Sequence, residues 1–255
     1  MPLGRPLRSG GGRAGRAWIA AAILLTLLVA TLGLAAFLGY FGGPVFTEIP
    51  ATGHPRPGRH RLAAVIMSGD MGFNMGMAPR IAARLAADGI PVIGVNSLTY
   101  FRHERTPAEV QALIARAARL ALAFGHADRV VMIGQSFGGD MLHVGLTGMA
   151  PALRAKLLAV ALVVPTDSVI FRASPSELLD WATPEAKGAT TARLLTWLPV
   201  LCIYGIEERR SLCPLLSQPN VRRVALPGGH PLHGDVDTVY RLLAAMIQTS
   251  GEARR

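Results

Sequence analysis

The stretch Arg129–Asp140, RVVMIGQSFGGD, decides the fold. Its first half is a short, continuous run of branched apolar residues, which reads as a strand buried on both faces. Its second half, Gly134-Gln135-Ser136-Phe137-Gly138, follows the Gly-x-Ser-x-Gly pattern. An apolar run from Phe137 to Met149 comes next and reads as a helix. Small residues on both sides of a serine let a strand and the helix after it pack closely, with the serine exposed on the tight turn between them. A serine hydroxyl is a weak nucleophile at neutral pH until a base takes its proton. Ser136 is therefore the candidate nucleophile, and the base must come from elsewhere in the chain.

On both sides of this stretch, short branched apolar runs alternate with longer amphipathic ones. Strands are predicted at Leu62–Met67, Pro91–Val95, Arg129–Gly134, Leu157–Val164, Pro199–Tyr204 and Val221–Leu226. Helices are predicted at Ala78–Asp88, Pro107–Phe124, Phe137–Met149 and Val236–Ile247. Such alternation gives an α/β fold, a doubly wound and mainly parallel sheet covered by helices. Thr106 predicts an N-cap for the second helix, with Pro107 in the first helical position and Glu109 three residues after the cap. The segment Ser174–Thr196 reads as either a short cap over the site or a plain crossover.

The base should follow the last strand. Pro227-Gly228-Gly229-His230 stands there, which makes His230 the candidate, with His233 as rival or substrate contact. His126 and His143 read as surface or packing residues. The acid that orients the base should follow a late strand. The turn after Cys202–Gly205 carries Glu207 and Glu208. Glu208 is the first choice, ahead of Glu207 and Asp167, while Asp235 reads as the cap of the last helix. An oxyanion needs donors. The N–H of Phe137 is one, and the loop Ser68–Phe73 (SGDMGF) should supply a second from Asp70 or Met71. Asp70, Asp140, Tyr100 and His233 are the candidate pocket residues.

The chain has 255 residues, 51% of them apolar, and a net charge of +10. Arg5, Arg8, Arg13 and Arg16 fall in its first 16 residues, and the remaining basic residues are scattered. No basic and aromatic stripe argues for nucleic acid. Ala17–Phe41 contains no charged residue and is long enough to cross a bilayer. The arginines before it predict a cytoplasmic amino terminus. The expected organisation is a basic cytoplasmic tail at 1–16, a transmembrane anchor or uncleaved signal at 17–41, a Pro/Gly linker at 42–61 with solvated His54 and His60, and the folded domain at 62–255. Two cysteines, Cys202 and Cys213, make neither a zinc site nor a disulfide framework, though they can form one bridge outside the cytoplasm. The chemistry read from these residues calls for no metal or cofactor.

Several blocks together resemble the VirJ/AcvB family of bacterial virulence proteins, a branch of the α/β-hydrolases. They are SGDMGF (68–73), NSLTYFRHERTP (96–107), IGQSFGGD (133–140), CIYGIEERRSLCP (202–214) and LPGGH (226–230). The resemblance spans about Arg61 to Thr249. It implies a protein facing the periplasm, Ser136 and His230 as catalytic residues, a paired Cys202 and Cys213, and Glu208 within the family's carboxylate turn. Some members of that family are associated with type IV secretion, and some look like hydrolases of aminoacyl-phospholipids such as lysyl-phosphatidylglycerol. The resemblance thus implies a serine hydrolase of such an ester. A general periplasmic esterase or thioesterase and a non-catalytic secretion-associated binding protein are the alternatives. Gln135, Gly139, Met71 and Pro231 stand where tyrosine, alanine, glycine and a second histidine are usual.

Overall fold

In a computed structural model, the structure describes residues 11–54, 61–173 and 184–253. The chain divides into two units, 1–37 and 38–255. The first consists of nearly all of helix α1 (Gly11–Leu38). Within Gly15–Leu38 a run of 18 residues reaches a mean hydropathy of 2.5, and the stretch is long and apolar enough to cross a membrane. The helix stops three residues before the predicted Phe41. Gly39 adopts φ +97° there, the left-handed conformation in which helices commonly end. Most of the basic tail, His60, and the Ser174–Asp180 and Trp181–Thr183 portions of the predicted cap-or-crossover segment lie outside the described residues.

The second unit is a seven-stranded sheet in the order β1-β3-β2-β4-β5-β8-β9. Its members are β1 (Phe46–Ile49), β2 (Leu62–Met67), β3 (Val92–Val95), β4 (Arg129–Gln135), β5 (Leu157–Val163), β8 (Val200–Gly205) and β9 (Val221–Leu226). The strands β6 (Ser168–Val169) and β7 (Ala186–Lys187) form a separate short ribbon. The six predicted strands are all present and mutually parallel. Strand β1 is the exception: it runs antiparallel along β3, Phe46 facing Val95 and Ile49 facing Val92. The segment expected to be only a linker therefore supplies an edge strand. Its prolines and glycines flank the four residues Phe46–Ile49, and the pairing with β3 gives those residues their strand conformation.

Successive strand residues face opposite layers. Val65, Met67, Val130, Met132, Val160 and Leu162 point toward α4 (Pro107–Phe124) and α5 (Phe137–Thr147). Ala64, Ile66, Val131, Ile133, Ala161 and Val163 point toward α2 (Ala78–Ala87) and the last helix, α8 (Val236–Glu252). This double burial is why the strands read as continuous apolar runs. Helix α4 carries the predicted capping box. The Thr106 side chain accepts from Glu109 N–H, and the Glu109 carboxylate accepts from Thr106 N–H. A short helix not predicted from the sequence, α3 (Ser97–Phe101), follows β3, with the Asn96 side chain accepting from Thr99 N–H. The remaining short helices are α6 (Pro151–Arg154) and α7 (Gly188–Ala192).

Candidate active site

Strand β4 ends at Gln135 and α5 begins at Phe137, so Ser136 occupies the whole turn. Its backbone sits at φ +52°, ψ −128°, a conformation that non-glycine residues rarely adopt and that the surroundings must enforce. Those surroundings explain the two motif glycines. A Cβ on Gly134 would come within 2.5 Å of Gly138 O and 2.6 Å of Gly139 Cα. A Cβ on Gly138 would come within 2.3 Å of Ser68 O and 2.7 Å of Met67 O. Backbone thus rests directly on backbone, first strand against helix and then helix against the end of β2.

Two other segments reach the same edge of the sheet. Beyond β9, Gly228 (φ +92°) turns the chain and presents His230. Beyond β8, the turn Gly205–Glu208 is closed by Glu208 N–H to Gly205 O and joined to the histidine loop by Glu207 N–H to Gly228 O. Gly205 is required for this approach, since a Cβ there would lie 2.4 Å from Gly228 O. The side chains then form one line: Ser136 Oγ is 2.7 Å from His230 Nε2, and His230 Nδ1 is 2.5 Å from Glu208 Oε1. Glu208 is nearly buried, with 8% of its side chain exposed, while the His230 side chain is 41% exposed. An acid held in place behind a base that opens to the cleft suits proton transfer to and from a substrate. Cys202 of β8 is disulfide-bonded to Cys213, which closes the loop carrying Glu208.

The other carboxylates considered for the acid lie elsewhere. Glu207 is exposed. Asp167 pairs with Arg210 at 3.5 Å. Asp235 caps α8 by accepting from Thr238 N–H, as its position predicted.

The cleft above Ser136 has a volume of about 520 Å³, room for a small organic group. Asp70, Met71, Phe137 and Asp140 line it together with Gln135, Met75 and Ile170. Gly69 walls one side, so close that a Cβ there would touch Ser136 Cβ at 3.4 Å. Phe137 is the first residue of α5, and its N–H has no acceptor within the helix. Burial raises the Asp70 carboxyl above its usual range, offset in part by the N–H groups of Asp70 and Met71 and by the charge of nearby His230. Those same N–H groups are the expected oxyanion donors, so the Asp70 carboxylate and an oxyanion compete for them.

Three expected pocket residues take other roles. Tyr100 lies outside the cleft: its hydroxyl donates to Glu109 O, and Arg105 stacks on its ring. Helix α3 turns the neighbouring Phe101 inward instead, edge-on to Phe137. His233 also lies outside, its ring packed against the backbone of Gly228, where a Cβ would come within 2.6 Å of Nε2. Asp140 does line the cleft, but its carboxylate holds the loop after β5, accepting from Thr166 N–H at 2.8 Å, with Thr166 Oγ1 2.8 Å from its other oxygen. Thr166 and Ile170 are cleft residues that sequence reasoning did not single out, since neither belongs to a motif. Among the described residues, no group of three or more His, Cys, Asp or Glu side chains is placed to hold a metal ion.

A mainly parallel sheet with helices on both faces, and a serine on the strained turn after its central strand, define the fold as that of the α/β-hydrolases. Within that class, the chain belongs to the VirJ family of bacterial virulence proteins, whose family model matches residues 61–251. Solved structures agree on the fold. Proline iminopeptidase of Mycobacterium smegmatis superposes with a TM-score of 0.58 at 14% identity, over 82% of this chain and 96% of that one. GrgF, an α/β-hydrolase of Penicillium sp. sh18, gives 0.57 at 12% identity over 81% and 99%. Est1E of Butyrivibrio proteoclasticus gives 0.53 at 14% over 81% and 99%. At such identities the likeness concerns the fold alone. Among curated proteins, none matches the chain in sequence.

Proposed function

We propose that this protein is a serine hydrolase of carboxylic esters, with Ser136 as nucleophile, His230 as general base and acid, and Glu208 as the carboxylate that orients His230. The observation that carries the reading is the hydrogen-bonded line from Ser136 through His230 to Glu208. His230 Nε2 takes the Ser136 hydroxyl proton as Oγ attacks the ester carbonyl carbon. The negative charge moves to the carbonyl oxygen, which accepts hydrogen bonds from Phe137 N–H and from the N–H of Asp70 or Met71. Collapse breaks the bond to the leaving oxygen, which takes the proton from His230. Water, deprotonated by His230, then attacks the acyl carbon, and as the bond to Ser136 Oγ breaks that oxygen takes the proton back from His230 and the carboxylic acid leaves. Each oxyanion donor contributes about 3 kcal/mol to such a transition state.

The finer reading is that the ester carries a cationic group, as an aminoacyl-phospholipid does. It is supported by Asp70, a carboxylate at the mouth of a cleft otherwise rich in methionine and glycine. The apolar helix with arginines before it supports placing the domain on the periplasmic side of an inner membrane, beside such a lipid.

The test is ester hydrolysis by the full chain in detergent micelles, together with labelling by a fluorophosphonate. Ser136→Ala should abolish both. Label on Ser136→Ala, or turnover equal to wild type, would defeat the hydrolase reading and favour a binding role. Asp70→Asn then separates the finer reading from the coarser one. An equal change on neutral and cationic esters would leave a general esterase.

A further inference from the structure

We propose that the catalytic face of the domain is also its membrane-docking face. The occupant is the surface of a lipid bilayer, touched by an apolar collar around the cleft.

The first observation is how the second unit begins. Leu38 and Gly39 do not begin a free tether. Leu38 O accepts from Asn96 Nδ2 at 3.2 Å, and Gly39 O accepts from Thr99 Oγ1 at 3.2 Å. Val45 O accepts from Asn96 N–H at 2.9 Å, just before β1 pairs with β3. Asn96 stands at the C-terminal end of β3, the sheet edge that also carries Ser136. The chain is therefore stitched to that edge at both ends of the short segment Gly39–Pro44.

Contact with the cleft wall is direct. Gly72 sits at φ +75°, and a Cβ there would lie 2.4 Å from Leu38 O. Gly72 belongs to the loop that walls Ser136. Ser97, next to Asn96, fixes the start of that loop by donating Oγ–H to Ser68 O at 2.6 Å and N–H to Ser68 Oγ at 3.0 Å. The attachment point and the cleft wall are one structure.

The third observation is independent. Soluble domains scatter their exposed large apolar side chains singly. Among the described residues of this domain, such side chains gather on the loops at the catalytic edge: Tyr40, Phe41, Met71, Met75 and Ile206. Leu194 and Leu215 are the exceptions. Ile206 is 70% exposed and Phe41 58%. Aromatic residues just past a membrane span favour the headgroup region, and Tyr40 and Phe41 fall there. On the same loops Arg102 and Arg209 stand beside Glu104 and Glu207, while Arg105 and Arg210 are paired with Glu109 and Asp167, so apolar contact rather than net charge supplies the attraction.

The experiment uses the full chain in vesicles of phosphatidylcholine and phosphatidylglycerol. Ile206→Cys carries an environment-sensitive fluorophore, and Gln248→Cys carries it as control. Helix α8 starts beside His230 and runs back across the sheet, so exposed Gln248 near its far end lies at the opposite edge. The label at 206 should shift to the blue and be quenched by spin-labelled lipid, in high salt as in low, while the label at 248 stays in water. Equal quenching of both labels by aqueous iodide, or a shift at 206 that salt abolishes, would overturn the proposal. A second arm uses Phe41→Ser. The rate on an ester embedded in the vesicle should fall about fivefold, with a water-soluble ester unaffected. Equal rates on the embedded ester would overturn it too. The fluorescence arm does not depend on Ser136, so its failure is distinct from failure of the hydrolase reading.

Discussion

Replacing His143 with glutamine should remove a defined part of the acid sensitivity of the fold. His143 lies on α5, seven residues after Ser136, and is completely buried. Its Nδ1 is 2.8 Å from Thr191 Oγ1, and its Nε2 is buried without a hydrogen-bond partner. A protonated imidazole would carry two N–H donors into a site with one partner. Burial accordingly pushes its pKa down to about 3 from the usual 6.5. The sign follows from proton binding. Between those two values the unfolded chain holds a proton that the folded one does not, so stability is complete above pH 6.5 and is lost as pH falls toward 3. At pH 5 the folded imidazole is still neutral and the unfolded one mostly charged, which costs about 2 kcal/mol relative to pH 8. The assay is urea unfolding of the full chain in micelles at both pH values. Wild type should lose about 2 kcal/mol more between pH 8 and pH 5 than His143→Gln loses. Equal losses would refute the reasoning. A difference of opposite sign would mean that the folded state, not the unfolded one, takes up the proton.

The same geometry gives three further expectations. Glu208→Gln keeps the shape of the turn but not the carboxylate behind His230, and kcat should fall about 10⁴-fold with KM little changed, as initial rates on a soluble ester would report. Gly138→Ala places a Cβ 2.3 Å from Ser68 O, so α5 must move away from β2 and the nucleophile must leave its line with His230. Fluorophosphonate labelling should slow at least about 100-fold even in variant protein that remains folded by circular dichroism. Asp70→Asn removes a carboxyl whose pKa burial has raised. That raise favours the fold below the unfolded pKa and is lost as pH rises through the folded one, so urea midpoints should show the variant gaining on wild type between pH 3 and neutrality.

Sequence reading reached the parts of the molecule where local chemistry and tertiary packing make the same demand. The five inner parallel strands, buried on both faces, have to be largely apolar, and they read that way, while the edge strand Val221–Leu226 carries exposed Arg222 and Arg223 and kept only its branched apolar ends. The Ser136 turn needs small residues at 134 and 138, and glycines mark it. The histidine loop needs Gly228 at positive φ, which left a readable Pro-Gly-Gly before His230. What stayed illegible was set by partners rather than by period. Phe46–Ile49 is four residues long, and only β3 gives it strand conformation. Ser97–Phe101 is too short for a helical repeat, and its signal was the single cap at Asn96. Tyr100 and His233 carry the right chemistry on the right loops. Their directions depend on Arg105 and on the path through Gly228, neither of which spacing reveals.

Asp140 shows how the site divides positioning from chemistry. Its charge sits in the first turn of α5, where the helix dipole favours it, and that alone would explain an acidic residue. Yet its carboxylate also fixes Thr166, whose hydroxyl donates onward, either to Asp140 or to Ser168 O at 2.7 Å. The loop after β5 is therefore held by the same helix that begins after Ser136. The loop after β2 is held by Ser97 and Leu38, and the loop after β8 by Gly228 and the Cys202–Cys213 bond. Each wall of the cleft is tied by backbone or buried polar contacts that need no substrate. Such fixed walls suit a reaction that depends on donors being in place before charge develops.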